Sequence, residues 1–209
     1  MKRFVISFLP LVFLAFAAMA QSPQEILDRM EEEMDKHDEK DGVKMTVDVK
    51  VPILGTMTTK VYSLGDKMRM EVKTMGVTMI TWSDGVTEWT YTDKTNEVEI
   101  EKVKEGSGSG SEGDMEMFEN ITDGYDVSIK KETAAAWHIQ CKKSKSNTDK
   151  DAPKSMEIVV EKTTYHPLSL TASISGAKMT MHDISFGITE EQVTFNIDDY
   201  PGAKITDKR

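Results

Sequence analysis

Cysteine is almost missing from this chain: Cys141 is the only one among 209 residues. An internal disulfide is therefore excluded. Cys141 sits in the alternating segment WHIQCKK, on the side of Trp137 and Ile139. That placement reads as a small buried hydrophobe and not as a reactive thiol. Catalytic signatures are missing as well. There is no G-x-S-x-G elbow, no Walker loop and no dinucleotide fingerprint. The Gly-Ser run from Gly106 to Gly110 lacks the Lys-Ser/Thr that a phosphate loop needs. The four histidines, His37, His138, His166 and His182, fall in separate segments with no H-E-x-x-H or His-x-His spacing. His182 and Asp183 are neighbours in a strand, so their side chains are expected on opposite faces. No metal, no cofactor and no enzymatic activity is expected.

Positive charge is also scarce. The sequence holds 26 basic and 36 acidic residues. Removing Lys2 and Arg3 with the first 20 residues leaves 24 against 36, a net charge of −12. Nucleic acid and anionic membrane surfaces attract clusters of Lys and Arg, so both are disfavoured as partners. Long hydrophobic runs are limited to Phe4–Phe16. Lys2 and Arg3 precede that run and Ala18-Met19-Ala20 follows it, so residues 1–20 read as a secretory signal cleaved after Ala20. The polar Gln21-Ser22 follows at once, which argues against a membrane anchor. No cysteine lies at the cleavage site to carry a lipid. Residues 21–209 then form one domain outside the cytoplasm.

What is present is β-pattern. From Val61 to Val103 the chain reads as short antiparallel strands: KVYSL, DKMRMEVK, VTMITW, VTEWTYT and NEVEIEKV. Ser83-Asp84-Gly85 predicts a tight hairpin between two of them. Apolar residues alternate at Met68, Met70 and Val72, at Val77 and Met79, at Trp89 and Tyr91, and at Val98 and Ile100. Taken together they predict one long apolar face. Met45, Val47, Val49 and Val51 alternate in the strand before. Further strands are expected at 125–131, 137–143, 155–163, 167–174, 178–186 and 193–197, ten or eleven in all. Ser22, Pro23 and Glu25 predict a capped helix whose apolar stripe is Ile26, Leu27, Met30 and Met34.

Methionine is the notable excess, with Met45, Met57, Met68, Met70, Met79, Met156, Met179 and Met181 all in predicted strands. Two readings stand: an ordinary Met-rich core beneath the helix, or an adaptable surface that repacks around variable apolar ligands. The segment Met115, Met117, Phe118 and Ile121 likewise reads either as a helical turn or two laid across the sheet or as a loop that carries apolar residues. Residues 105–114 before it, and 144–155 further on, are polar and linker-like.

The order of these residues resembles the outer-membrane lipoprotein carrier (LolA-like) family. The resemblance rests on DKMRMEV, then Ser83-Asp84-Gly85 with Trp89 and Tyr91, and Pro167-Leu168-Ser169-Leu170. It continues through Gly176, MTMHDISF, Val193-Thr194-Phe195 and Tyr200-Pro201-Gly202-Ala203. It covers nearly all of the chain after the signal, on soft β-patterns. It implies a mainly β fold, a single strongly curved antiparallel sheet or unclosed β-barrel wrapped round an N-terminal helix. It also implies a hydrophobic cavity for acyl chains, formed here by Met45, Val47, Met68, Met70, Met79, Trp89, Tyr91, Met179 and Met181. Met115, Met117, Phe118 and Ile121 would be its lid. The implied activity is that of a periplasmic, monomeric carrier or chaperone that shields the acyl chains of lipoproteins. Its implied partners are acylated lipoproteins or lipids, an inner-membrane release complex and an outer-membrane acceptor.

A palmitoyl-sized chain gains roughly 12 kcal/mol on full burial, at ~0.8 kcal/mol per methylene. Release therefore requires a competing closed state, such as a lid that fills the cavity. One departure from the family stands out. The arginine that pins the lid in family members is Leu64 here, and the nearest arginine is Arg69, on the face opposite Met68 and Met70. That leaves a second reading beside the carrier: a lipid-binding or lipoprotein-sensing module of the same fold outside the transport relay.

Overall fold

The computed structural model describes residues 21–37, 41–53, 55–104, 121–150, 152–174 and 176–209. The predicted signal at 1–20 and the linker at 105–114 lie outside them, as do Met115, Met117 and Phe118. Among the described residues the fold is a helix, α1 (Pro23–Met34), followed by strands β1 (Val43–Val51), β2 (Gly55–Leu64), β3 (Lys67–Thr74), β4 (Val77–Ser83), β5 (Thr87–Thr92) and β6 (Glu97–Lys102). Next come β7 (Tyr125–Glu132), β8 (Ala136–Lys143), β9 (Ser155–Glu161), β10 (Pro167–Ile174) and β11 (Ala177–Phe186). A short helix α2 (Glu190–Val193), a 3-10 turn (Ile197–Asp199) and β12 (Lys204–Asp207) end the chain.

All twelve strands belong to one sheet, in the order β12-β6-β5-β4-β3-β2-β1-β11-β10-β9-β8-β7. It is not closed into a barrel. Every pairing is antiparallel except β12 beside β6. Both free edges are short or charged, which discourages edge-to-edge association. β12 has four residues and is flanked by Lys208 and Arg209, while β7 is bulged near Lys130.

Local chemistry sets the ends of these elements. The Ser22 hydroxyl accepts from the Glu25 amide at 3.1 Å, and the Glu25 carboxylate accepts from the Ser22 amide at 2.8 Å. That reciprocal cap, with Pro23 at the first helical position, starts α1 where expected. At the β4–β5 hairpin Asp84 Oδ1 accepts from the amides of Val86 and Thr87 at 2.9 and 2.7 Å. Gly85 takes a positive φ of 83°, which only glycine adopts without strain.

α1 buries Ile26, Leu27, Met30 and Met34. It lies on the sheet over Val43, Met45, Trp137, Ile139, Cys141, Ile158, Val160, Leu170 and Met181, which form the main core. Cys141 is fully buried there, and burial pushes its thiol up to about 11. Ile121, the one described lid candidate, packs partly buried against the same core.

Three expectations need correction. Residues 193–197 do not form a strand. Val193 ends α2 and the chain then crosses the sheet in irregular form, because its apolar side chains insert into an aromatic cluster described below. β12 went unforeseen, since four residues are too few to show a period. His182 and Asp183 do not point apart: His182 Nδ1 lies 2.9 Å from the Asp183 carboxylate. The β1–β11 register shifts at this point and Asp183 takes a left-handed φ of 55°, so alternation is broken.

Candidate functional site

In an antiparallel pair, directly opposed residues share a face. The register therefore sorts the apolar residues of the sheet. Met181 opposes Val47 and Met179 opposes Val49 across β11–β1. Val61 opposes both Met45 and Met70, and Thr59 opposes Val72. Val72 opposes Met79. On the other side, Ala172 opposes both Met179 and Met156. All eight strand methionines thus lie on the face that carries α1.

Trp89 and Tyr91 do not. Trp89 opposes Trp82, which opposes Arg69, which opposes Tyr62; Tyr91 opposes Ile80 and Val98. This set lies on the reverse face. The expectation that Trp89, Tyr91, Val98 and Ile100 continue the methionine face is corrected. Strand alternation fixes two classes of residue but not which class of one strand meets which of the next. Hairpin register decides that.

The reverse face is already covered. α2 and the chain after it lay Val193, Phe195 and Tyr200 over it. Phe195 meets Trp82 edge-on at 5.3 Å and stacks on Trp89 at 5.6 Å. Tyr200 lies 5.5 Å from Trp82 and 4.3 Å from Tyr91, and burial raises its phenol above the ordinary value. Arg69 lies beneath this cap, 5.2 Å from the ring of Tyr62 and 5.7 Å from that of Trp82, and pairs with Glu71. Leu64 is on the same reverse face, opposite Lys67, beside Gly42 and Ile188. Neither Leu64 nor Arg69 faces the methionines. A cavity of about 120 Å³ under the cap is bounded by Trp89, Val193 and Phe195, with polar Lys67, Ser83, Asp84 and Thr194. It is too small for an acyl chain.

The methionine face is covered over only part of its width. Beneath α1, Met45, Met156 and Met181 are buried. Across β2, β3 and β4 no described element packs over it. Met68 is buried, while Met70, Val72 and Met179 are half-buried. Met57 and Met79 are exposed at 39% and 40%. Beyond β4 the same face turns polar, with Thr81 and Thr90 hydroxyls 3.3 Å apart and Glu97, Glu99 and Glu101 paired to Lys204 and Lys208. The result is an apolar strip bounded by a helix-covered core on one side and a Thr/Glu border on the other. Among the described residues its polar side chains are hydroxyls, such as those of Thr59 and Ser63, with no histidine, cysteine or charged group on it. Its chemistry is that of a soft surface for hydrocarbon.

No protein-family model matches the chain, and no curated protein matches it. Solved structures do. LprF from Mycobacterium bovis aligns with a TM-score of 0.53 at 11% identity, covering 81% of this chain and 96% of that one. A LolA superfamily protein from Nitrosomonas europaea aligns at 10% identity over 85% of this chain and 99% of that one, with a TM-score of 0.33. LprF shares this architecture, a mainly β fold of one open sheet with few helices, which is the one that the LolA-like resemblance implies. An uncharacterized conserved protein from Thermus thermophilus aligns at 20% identity over 90% of this chain and all of that one, with a TM-score of 0.44. At these identities the likeness is one of fold. Among the described residues no helix is long and apolar enough to cross a membrane.

Proposed function

We propose that this protein is an exported, non-enzymatic binder of acyl chains that shields the lipid moiety of lipoproteins outside the cytoplasm. One observation carries the reading: the methionine strip across β2, β3 and β4 that α1 leaves uncovered, with Met57 and Met79 exposed although the sheet is fully paired around them. The sheet bears a second apolar set on its reverse face, but there the protein's own Phe195 and Tyr200 already occupy the surface. Among the described residues the methionine strip is the apolar face left uncovered for a ligand. Unbranched thioethers adapt to chains of differing length at little cost, and the lack of charged side chains on the strip among the described residues fits hydrocarbon cargo. The acidic net charge of the exported chain suits a protein that passes anionic lipid without adhering.

The relay role, with a membrane release complex and an acceptor, is the finer form of the same proposal. Leu64 and Arg69 on the reverse face favour a lid control different from that of arginine-pinned carriers.

The test is to purify the exported protein without detergent, measure its intact mass, and analyse what it carries by native mass spectrometry. The expected result is a chain beginning at Gln21 with a stoichiometric acylated ligand, or one that takes up an acylated peptide one-to-one. A chain that retains residues 1–20, or one that neither carries nor takes up any acylated molecule, overturns the proposal.

A further inference from the structure

Two histidines that the sequence separates by more than a hundred residues meet at the foot of α1. His37 lies just past the helix and His166 lies in the β9–β10 connection. Glu33, one helical turn before His37, completes the group. One donor atom from each of the three lies within 4.8 Å of the others. All three residues are half-buried.

The side chains are held from behind. The His37 ring stacks flat on Phe186, at 3.9 Å and 3°. Its Nδ1 lies 3.1 Å from the Asp41 carboxylate. With Nδ1–H donating to Asp41, Nε2 of His37 is left as a lone-pair donor. A carboxylate behind an imidazole is the usual outer partner of a metal-binding histidine, since it fixes the tautomer and strengthens the donor. His166 is fixed by its turn: its carbonyl accepts from the Glu161 amide at 3.0 Å, its amide donates to the Thr164 hydroxyl at 3.2 Å, and Pro167 follows. Its ring meets His37 edge-on at 5.5 Å and Phe186 at 5.8 Å. Glu33 divides its oxygens: Oε2 pairs with Lys36, and Oε1 lies 3.7 Å from His166 Nε2.

We propose that Glu33, His37 and His166 form a binding site for a divalent transition-metal ion, zinc above all. Two imidazole nitrogens and one carboxylate match zinc, whose bonds to such ligands are about 2.0–2.2 Å. Tetrahedral geometry at that length sets donors roughly 3.3 Å apart, so side-chain rotations of about an ångström close the group around an ion. Calcium and magnesium prefer all-oxygen cages and would be rejected. A fourth position faces solvent and takes water. The ion would tie the end of α1 to the β9–β10 turn, across the Phe186 end of β11. It would thus clamp the helix over the covered half of the methionine face. No part of this depends on what binds the strip.

The test uses the purified protein without a histidine tag, stripped of metal by a chelator. Zinc is titrated in competition with a chromophoric chelator, and thermal unfolding is followed with and without one equivalent. The expected result is one zinc per chain and a rise in melting temperature. Cobalt substitution should give the visible bands of a four-coordinate site. His166→Gln and Glu33→Gln should each weaken zinc binding at least tenfold, while His138→Gln, which is paired with Glu157 and outside the group, should leave it unchanged. Each variant is checked for folding by circular dichroism. If His166→Gln fails to fold, cobalt-dependent broadening of the His37 and His166 imidazole resonances in the parent protein decides instead. Zinc affinity equal in the parent and His166→Gln, or imidazole resonances indifferent to cobalt, overturns the proposal.

Discussion

From β4, β3 and β2 the open strip continues onto the half-buried Val49 of β1 and Met179 of β11, spanning four interstrand spacings, about 19 Å at some 4.8 Å each. A bilayer's hydrocarbon core of about 30 Å is two acyl chains deep, so one chain reaches roughly 15 Å. One chain therefore fits across the strip, and affinity should depend on its length. Full burial is worth ~0.8 kcal/mol per methylene, about a fourfold gain each. With a single covered side, half of that remains, about twofold each. Going from a lauroyl to a palmitoyl peptide adds four methylenes, so affinity should rise between about 15-fold and 200-fold. Chains longer than the strip should gain no more. Salt should have little effect, because no charge pairing contributes. Met79→Glu sets a carboxylate on the open end of the strip, where the parent side chain is 40% exposed and the fold tolerates it. It should weaken palmitoyl binding at least tenfold, while Asp126→Asn on the distant edge strand should not. Fluorescence displacement or calorimetry across the series measures all of this. Equal affinity for lauroyl and palmitoyl peptides, with Met79→Glu silent, would refute the strip as a hydrocarbon site.

Removing Arg69 should destabilise the reverse face. Arg69→Ala loses contact with two rings and strands Glu71, about 2–4 kcal/mol together; urea unfolding followed by tryptophan emission reads it, and a loss under about 0.5 kcal/mol contradicts the packing described. Cys141, fully buried with its thiol raised to about 11, should resist maleimide at pH 8 until the protein is unfolded, then react stoichiometrically. The Asp48 carboxyl is held below its ordinary value, chiefly by the Thr58 hydroxyl and then by His182, with burial opposing. Its stabilising effect should be complete above about pH 4 and vanish as pH falls through the folded-state value, so Asp48→Asn should lessen the acid dependence of unfolding.

The sequence by itself determined whatever depends on local periodicity and caps. Ser22 and Glu25 fixed where α1 begins, and Ile26, Leu27, Met30 and Met34 fixed its buried side. Asp84-Gly85 fixed a hairpin, and alternation marked most strands and the burial of Cys141. The resemblance of strand order led to the mainly β fold of one unclosed sheet. What only the tertiary structure decided is which strand faces coincide. Met68 and Trp89 each alternate cleanly, yet they lie on opposite sides, because the β3–β4 and β4–β5 registers set Met68 against Ser83 and Trp82 against Trp89. A shift of one residue in either hairpin would reverse that, and no periodicity within a strand encodes it. The irregular course of Phe195 and Tyr200 follows from the aromatic surface they meet, not from their own pattern. His37 and His166 converge for the same kind of reason. A helix end and a hairpin turn are brought to one corner by Phe186 and the core behind it, and such long-range closure leaves no mark in either local sequence.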